Sequence, residues 1–165
     1  MPLVTHQAHE VQQLLEERGE TVAVAESLTG GRLAVLLTEA PGSSATFIGA
    51  VVSYATEAKI GVLGVDTAVV ERYGVVSSEC ARAMARGVRD LMGASYGVST
   101  TGVAGPDEQE GKPPGTVYVG VAGPHGDSAL ALELVGDRSG IQERTCAEAL
   151  SALAGIIREE ETGLG

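Results

Sequence analysis

Three short apolar runs, each closing on hydroxyl-bearing residues and each handing over to a helical segment, constrain this chain more than any other feature. The runs are residues 21–26, 45–54 and 96–102. β-Branched, aromatic and small apolar residues fill them, as suits strands. Between them, apolar residues recur at three- and four-residue spacing, the signature of helices that bury one face. Val11, Leu14 and Leu15 mark a first helix, stopped at Gly19, and residues 30–40 form a second, stopped by Pro41-Gly42. Short helical pieces follow at 58–63 and 67–73. Ser77 then caps a longer helix over 78–93 that sets Cys80, Met84, Val88 and Leu91 on one face.

Two more apolar runs, 116–123 and 128–135, flank Pro124-His125-Gly126-Asp127 and predict an antiparallel hairpin. Ile141, Cys146, Leu150, Leu153 and Ile157 predict a last helix over 139–160. Helices alternating with the first three strands, and a hairpin closing the sheet, predict an α/β three-layer domain on a mixed sheet. With no linker or internal repeat, residues 1–165 read as one domain. That length buries a sufficient core without disulfides.

Composition excludes several classes of function. The 22 acids against 11 bases give a formal charge of −11, and Lys59 and Lys112 are the only lysines. That balance argues against nucleic-acid and anionic-membrane surfaces. One Phe, four Tyr and no Trp provide no aromatic platform for stacking bases. Much of the acid lies in residues 1–20 and 133–165, and reads as the solvated face of two outer helices. Cys80 and Cys146 belong to no Cys/His cluster, so neither a zinc site nor a disulfide framework is expected, and both fall on apolar helical faces. Without a signal-like start or a membrane-length apolar stretch, the expected location is the cytoplasm.

In an open α/β sheet, ligands bind beyond the carboxyl ends of the parallel strands. Three turns occupy that position: Glu26-Ser27-Leu28-Thr29-Gly30-Gly31, Ser53-Tyr54-Ala55-Thr56-Glu57-Ala58-Lys59, and Ser99-Thr100-Thr101-Gly102-Val103-Ala104-Gly105-Pro106. The first offers hydroxyls and backbone amides at a helix start, suited to an anion or an oxyanion, or simply to capping the helix. It is neither a Walker A loop nor Gly-x-Gly-x-x-Gly. If Ser27 is a nucleophile it needs a base. His6 and His9 belong to the acidic first helix and His125 to the hairpin turn, which leaves Lys59, whose own alternative is a surface ion pair with an acid such as Glu57. The segment 103–115, with Asp107, Glu108, Glu110 and Lys112, reads either as a mobile lid or as an ordinary exposed loop. Arg138 can clamp a phosphate or carboxylate, or pair with Asp137.

Six ordered motifs carry a resemblance: Ala25 to Gly31, Ser53-Tyr54 with Glu57-Ala58-Lys59, Gly74 to Ser77, Thr101 to Pro106, Lys112 to Val117, and Gly136-Asp137-Arg138. Together they resemble the CinA C-terminal domain family over about residues 8–158. The resemblance implies a three-layer α/β/α sandwich on a mixed, mainly parallel five-stranded sheet. It also implies a metal- and cofactor-free amidohydrolase that converts nicotinamide mononucleotide to nicotinic acid mononucleotide and ammonia, in pyridine-nucleotide salvage. Ser27 would be the nucleophile, Lys59 the base and Tyr54 an orienting residue. Glu26, Thr29, Gly30, Gly31, Thr101, Gly102, Ala104, Gly105 and Arg138 would hold the substrate, the amides near Thr29, Gly30 and Gly31 serving as oxyanion hole.

The expected partner is thus a small nucleotide, not a nucleic acid or a membrane, and a homodimer or higher homo-oligomer is compatible with the family. The family also contains this domain fused behind a molybdopterin-binding-like domain, and the chain is expected to correspond to the stand-alone form. The alternative is a non-catalytic ligand-binding or protein-interaction module in competence or DNA-damage response. Thr56, Glu108-Gln109 and Gln142 depart from residues common in the family, Asn, Gly-Gly and Arg respectively, with Arg144 in reach of the last position's role.

Overall fold

The computed structural model describes residues 3–163. Six α-helices and five strands follow in the order α1 (Leu3–Arg18), β1 (Val22–Glu26), α2 (Arg32–Glu39), β2 (Phe47–Val52), α3 (Thr56–Gly61), α4 (Thr67–Tyr73), α5 (Ser78–Met92), β3 (Tyr96–Gly102), β4 (Thr116–Gly123), β5 (Gly126–Glu133) and α6 (Arg138–Glu161). A single 3₁₀ turn, Ser43–Ala45, takes Ala45, the first residue of the segment expected to be the second strand, and the strand itself starts at Phe47. The first helix begins well before Val11. The hairpin turn is tighter than expected, because Gly123 pairs with Gly126 and leaves only Pro124 and His125 at the tip.

The sheet order is β2-β1-β3-β4-β5. β2, β1 and β3 pair in parallel, and β4 is antiparallel to both neighbours, so four of the five strands share one direction. This is the mixed, mainly parallel sheet that the motifs implied. β1, flanked by neighbours and covered on both faces, is buried at every residue, which is why its sequence is continuously apolar up to Glu26.

On one face, α1, α2 and α6 cover a core of Val11, Leu15, Val24, Leu33, Leu150 and Leu153. On the other, α5 packs Cys80, Met84 and Val88 against Ala23, Ala25 and Val76. Glycine permits this second contact: a Cβ on Gly97 would stand 2.1 Å from the Ala85 carbonyl, and one on Gly120 2.3 Å from that of Ala81. Leu91, expected on the buried face, is instead exposed, because that face runs through Ala81, Met84, Ala85 and Val88. Both cysteines are buried and unpaired. No helix among the described residues is long and apolar enough to cross a membrane.

Candidate functional site

The parallel strands β1, β2 and β3 end side by side, and their three following turns meet in a cavity of about 370 Å³. Ser27, Tyr54, Thr56, Lys59, Thr101, Gly102, Ala104, Gly105 and Arg138 line it, together with Leu28, Val75 and the loop Pro106–Gln109. The site thus draws on all three turns that the sequence singled out.

Ser27 and Lys59 form its centre. The Lys59 Nζ lies 2.9 Å from the Ser27 Oγ, although 32 residues separate them. Lys59 is only 1% exposed and Ser27 only 7%. The short helix α3 aims the lysine inward, and Nζ also donates to the carbonyls of Ser53, at 2.7 Å, and Tyr54, at 3.3 Å. Lys59 makes no ion pair among the described residues, so its alternative as a surface partner of Glu57 does not apply. Burial pushes the amine below its ordinary value, while the Cys80 thiol and the Glu110 carboxylate pull it back up. Burial pushes Cys80 itself up to about 11, against the lowering effect of Lys59. A neutral amine has two N–H bonds and one lone pair. As an ammonium, Lys59 has three N–H bonds for the Ser27 Oγ and the two carbonyls, and loss of one proton frees a lone pair that faces the serine hydroxyl.

The serine is held just as firmly. Its backbone N–H donates to the Thr100 Oγ1 at 3.2 Å, and Thr29 shares a 2.8 Å hydroxyl contact with the same atom. The Gln142 amide donates to the Leu28 carbonyl at 2.8 Å. Ser53 ties the end of β2 to β1 through both its N–H, at 2.7 Å, and its hydroxyl, at 3.1 Å, to the Glu26 carbonyl.

Four residues expected to hold substrate lie elsewhere. Glu26 is fully buried and caps α2, accepting from Gly31 N–H at 3.2 Å, Leu33 N–H at 2.9 Å and Ala34 N–H at 2.9 Å. Gly30 N–H turns back to the Ser27 carbonyl at 3.1 Å. The Gly30 and Gly31 amides proposed for an oxyanion hole are therefore spent inside the turn, and both glycines line a separate groove beside α2 and α6. Thr29 is buried behind the cavity against Thr100. A negative side chain at the strand end has taken the place that a ligand anion would have at a free helix start.

Tyr54 touches Lys59 through its carbonyl only; its phenol is 62% exposed and accepts from Arg138 at 3.0 Å. Arg138 also donates to the Gly105 carbonyl at 2.5 Å, and so bridges the second and third turns. Two of its five donors are used in this way, leaving the rest of the fork for a ligand. Thr101 donates its hydroxyl to the Val75 carbonyl at 2.7 Å. Arg144 is exposed and away from the cavity, so it does not stand in at position 142. The loop 103–115 is no free lid, because Glu110 and Lys112 bind it to Val75 and Val76. Among the described residues no group of His, Cys, Asp and Glu could hold a metal ion. The roles of Thr100, Gln142 and the Ser53 carbonyl escaped the sequence reading. All three residues are named there, Thr100 and Ser53 within the turns and Gln142 as a departure from the family, but none for the contact it makes.

Residues 4–157 match the family model described as the CinA C-terminal domain. A CinA-like protein of Frankia casuarinae is 51% identical over 156 residues, 92% of this chain and 36% of the relative. One from Synechocystis is 54% identical over 128 residues, covering 77% of this chain and 31% of that protein. The chain thus spans about a third of the length of these curated relatives. Among solved structures, a CinA superfamily protein from Klebsiella pneumoniae superposes with a TM-score of 0.93 at 28% identity, over 96% of this chain and 99% of the other. A competence/damage inducible protein from Agrobacterium tumefaciens gives 0.89 at 32% identity, over 94% and 98%. With its fold, its ordered motifs and nearly its whole described length in agreement, the chain belongs to the CinA C-terminal domain family.

Proposed function

We propose that the protein is a serine–lysine amidohydrolase that removes the carboxamide nitrogen of nicotinamide mononucleotide. The observation that carries the reading is the buried Lys59 amine, 2.9 Å from the Ser27 Oγ and oriented by two carbonyls. Ser27 Oγ attacks the carboxamide carbon while its proton passes to the neutral Lys59. The tetrahedral intermediate collapses as Lys59 returns that proton to the departing nitrogen, releasing ammonia and leaving an ester on Ser27. Water, deprotonated by the same amine, then cleaves the ester to the free acid and regenerates the serine. With the α2 amides spent, the developing oxyanion is served by the Leu28 amide and the Ala104–Gly105 turn, which line the same cavity. Arg138 holds the phosphate with the donors not engaged by Tyr54 and Gly105. A cavity of about 370 Å³ is of the size that takes one small ligand rather than a polymer.

The test is to incubate the purified protein with nicotinamide mononucleotide and measure ammonia and nicotinic acid mononucleotide, expected in equal amounts. Ser27→Ala and Lys59→Ala should each lower kcat by about a thousandfold or more. Binding of the nucleotide without turnover by the wild type would overturn the reaction. It would favour a ligand-binding module, the second reading, which has the competence/damage name of the Agrobacterium tumefaciens relative in its support.

A further inference from the structure

Among the described residues, Glu110 is the only one other than glycine with a positive φ, 54°. Side-chain-bearing residues disfavour that region and hold it where the surroundings impose it. Glu110 and Gly111, at φ 73°, form the tip of a miniature hairpin in which Gln109 and Lys112 exchange both backbone hydrogen bonds, at 3.1 and 2.9 Å. The tip turns the Glu110 side chain onto the junction between α4 and α5. There its two oxygens accept from the Val75 and Val76 N–H groups, each at 2.9 Å. The Lys112 ammonium donates to the carbonyl of the same Val76. A Cβ on Gly74 would stand 2.7 Å from the Glu110 carboxylate, so a side chain there would displace the carboxylate from its amides.

The clasp closes a circuit around the cavity. Pro106 to Gln109 line one wall and run between two fixed ends, Gly105, held by Arg138, and Glu110. Val75 is a lining residue too, and its carbonyl takes the Thr101 hydroxyl from the opposite side. The Ser27–Lys59 pair, in contrast, is built from the end of β1, the end of β2 and α3, and shares no hydrogen bond with this loop. We propose that Glu110 is a positioning residue, whose carboxylate clasps the Val75 and Val76 amides and so holds Pro106–Gln109 as the wall against which the substrate binds. The kinetic side of the proposal rests on the amidohydrolase reading; the structural side rests on the geometry alone.

The test uses the whole chain with E110A, which removes the clasp, and E110Q, which keeps its reach and one acceptor oxygen. Hydrogen exchange at the Val75 and Val76 amides should quicken about tenfold in E110A, as loss of a charge-assisted hydrogen bond implies, and less in E110Q. With nicotinamide mononucleotide, measured at a pH above the Lys59 limb, where the loss of the Glu110 charge beside that amine no longer changes its protonation, KM should rise about tenfold in E110A while kcat stays within about threefold. Unchanged exchange at both amides overturns the clasp whatever the activity. Faster exchange with an unchanged KM overturns the positioning role, as does a fall in kcat alone. Faster exchange in a protein whose wild type turns over no nucleotide overturns the reaction and leaves the clasp standing.

Discussion

Lys59 is one of two lysines in the chain, and it sits where solvation favours it least, 1% exposed and without a carboxylate in contact. Burial lowers its pKa from the ordinary 10.5, so a neutral amine is present at lower pH than for a surface lysine. Because the proposed base is the neutral form, kcat/KM for the amide should climb with pH along a limb centred below 10.5. Lys59→Arg, charged at every accessible pH, should lose both turnover and the limb. A pH–rate profile of the two proteins checks this, and a wild-type profile without that limb would mean that another group accepts the proton. Stability changes with the same sign. Between the folded and unfolded pKa values the unfolded chain binds more protons, so folding is favoured as pH rises through that window. At this scale the sequence was informative about identity only. The scarcity of lysine pointed to Lys59, but nothing in residues 53–59 shows that the carbonyls of Ser53 and Tyr54 orient its amine, since every residue has a carbonyl.

At the scale of elements, the join between β1 and α2 decides how the site is built. Glu26 closes a buried strand and its carboxylate returns to three amides of the next helix. Ser27 thereby starts from a turn fixed at both ends, by Glu26 before it and Gln142 over Leu28 after it. Glu26→Ala should destabilise the protein by about 3 kcal/mol, since buried amides lose a charged acceptor, with a smaller loss for Glu26→Gln. Urea unfolding midpoints of the two variants against wild type measure it. A shift of less than about 0.5 kcal/mol would show that α2 is held by its packing alone. The elements themselves were legible because hydrophobic periodicity is a local property, and all six helices and five strands were expected near their observed places. Leu91 was misassigned because periodicity says which residues share a helix face and not how far the neighbouring sheet extends under it.

For the molecule as a whole, the charge of −11 and the cavity's contents point to different partners. A net negative charge disfavours binding of a polyanion, whereas Arg138 stands at one small cavity with donors to spare. Duplex DNA should therefore show no mobility shift with micromolar protein at about 0.15 M salt, since affinity there depends on many Lys and Arg contacts to phosphate. A salt-sensitive shift would reveal a basic surface that the charge count conceals. What the sequence determined by itself is the order of elements, the three turns at the carboxyl ends of parallel strands, and Ser27 and Lys59 as chemically distinctive residues within them. Local spacing and residue type carry that much. Only the tertiary structure decided that these two meet at 2.9 Å, that Gly30 and Gly31 have no amide free for a ligand, and that Glu110 binds the 103–115 loop down. Those outcomes depend on which backbone groups find partners and which side chains lose water, and both are set by strand order and packing between segments distant in the chain.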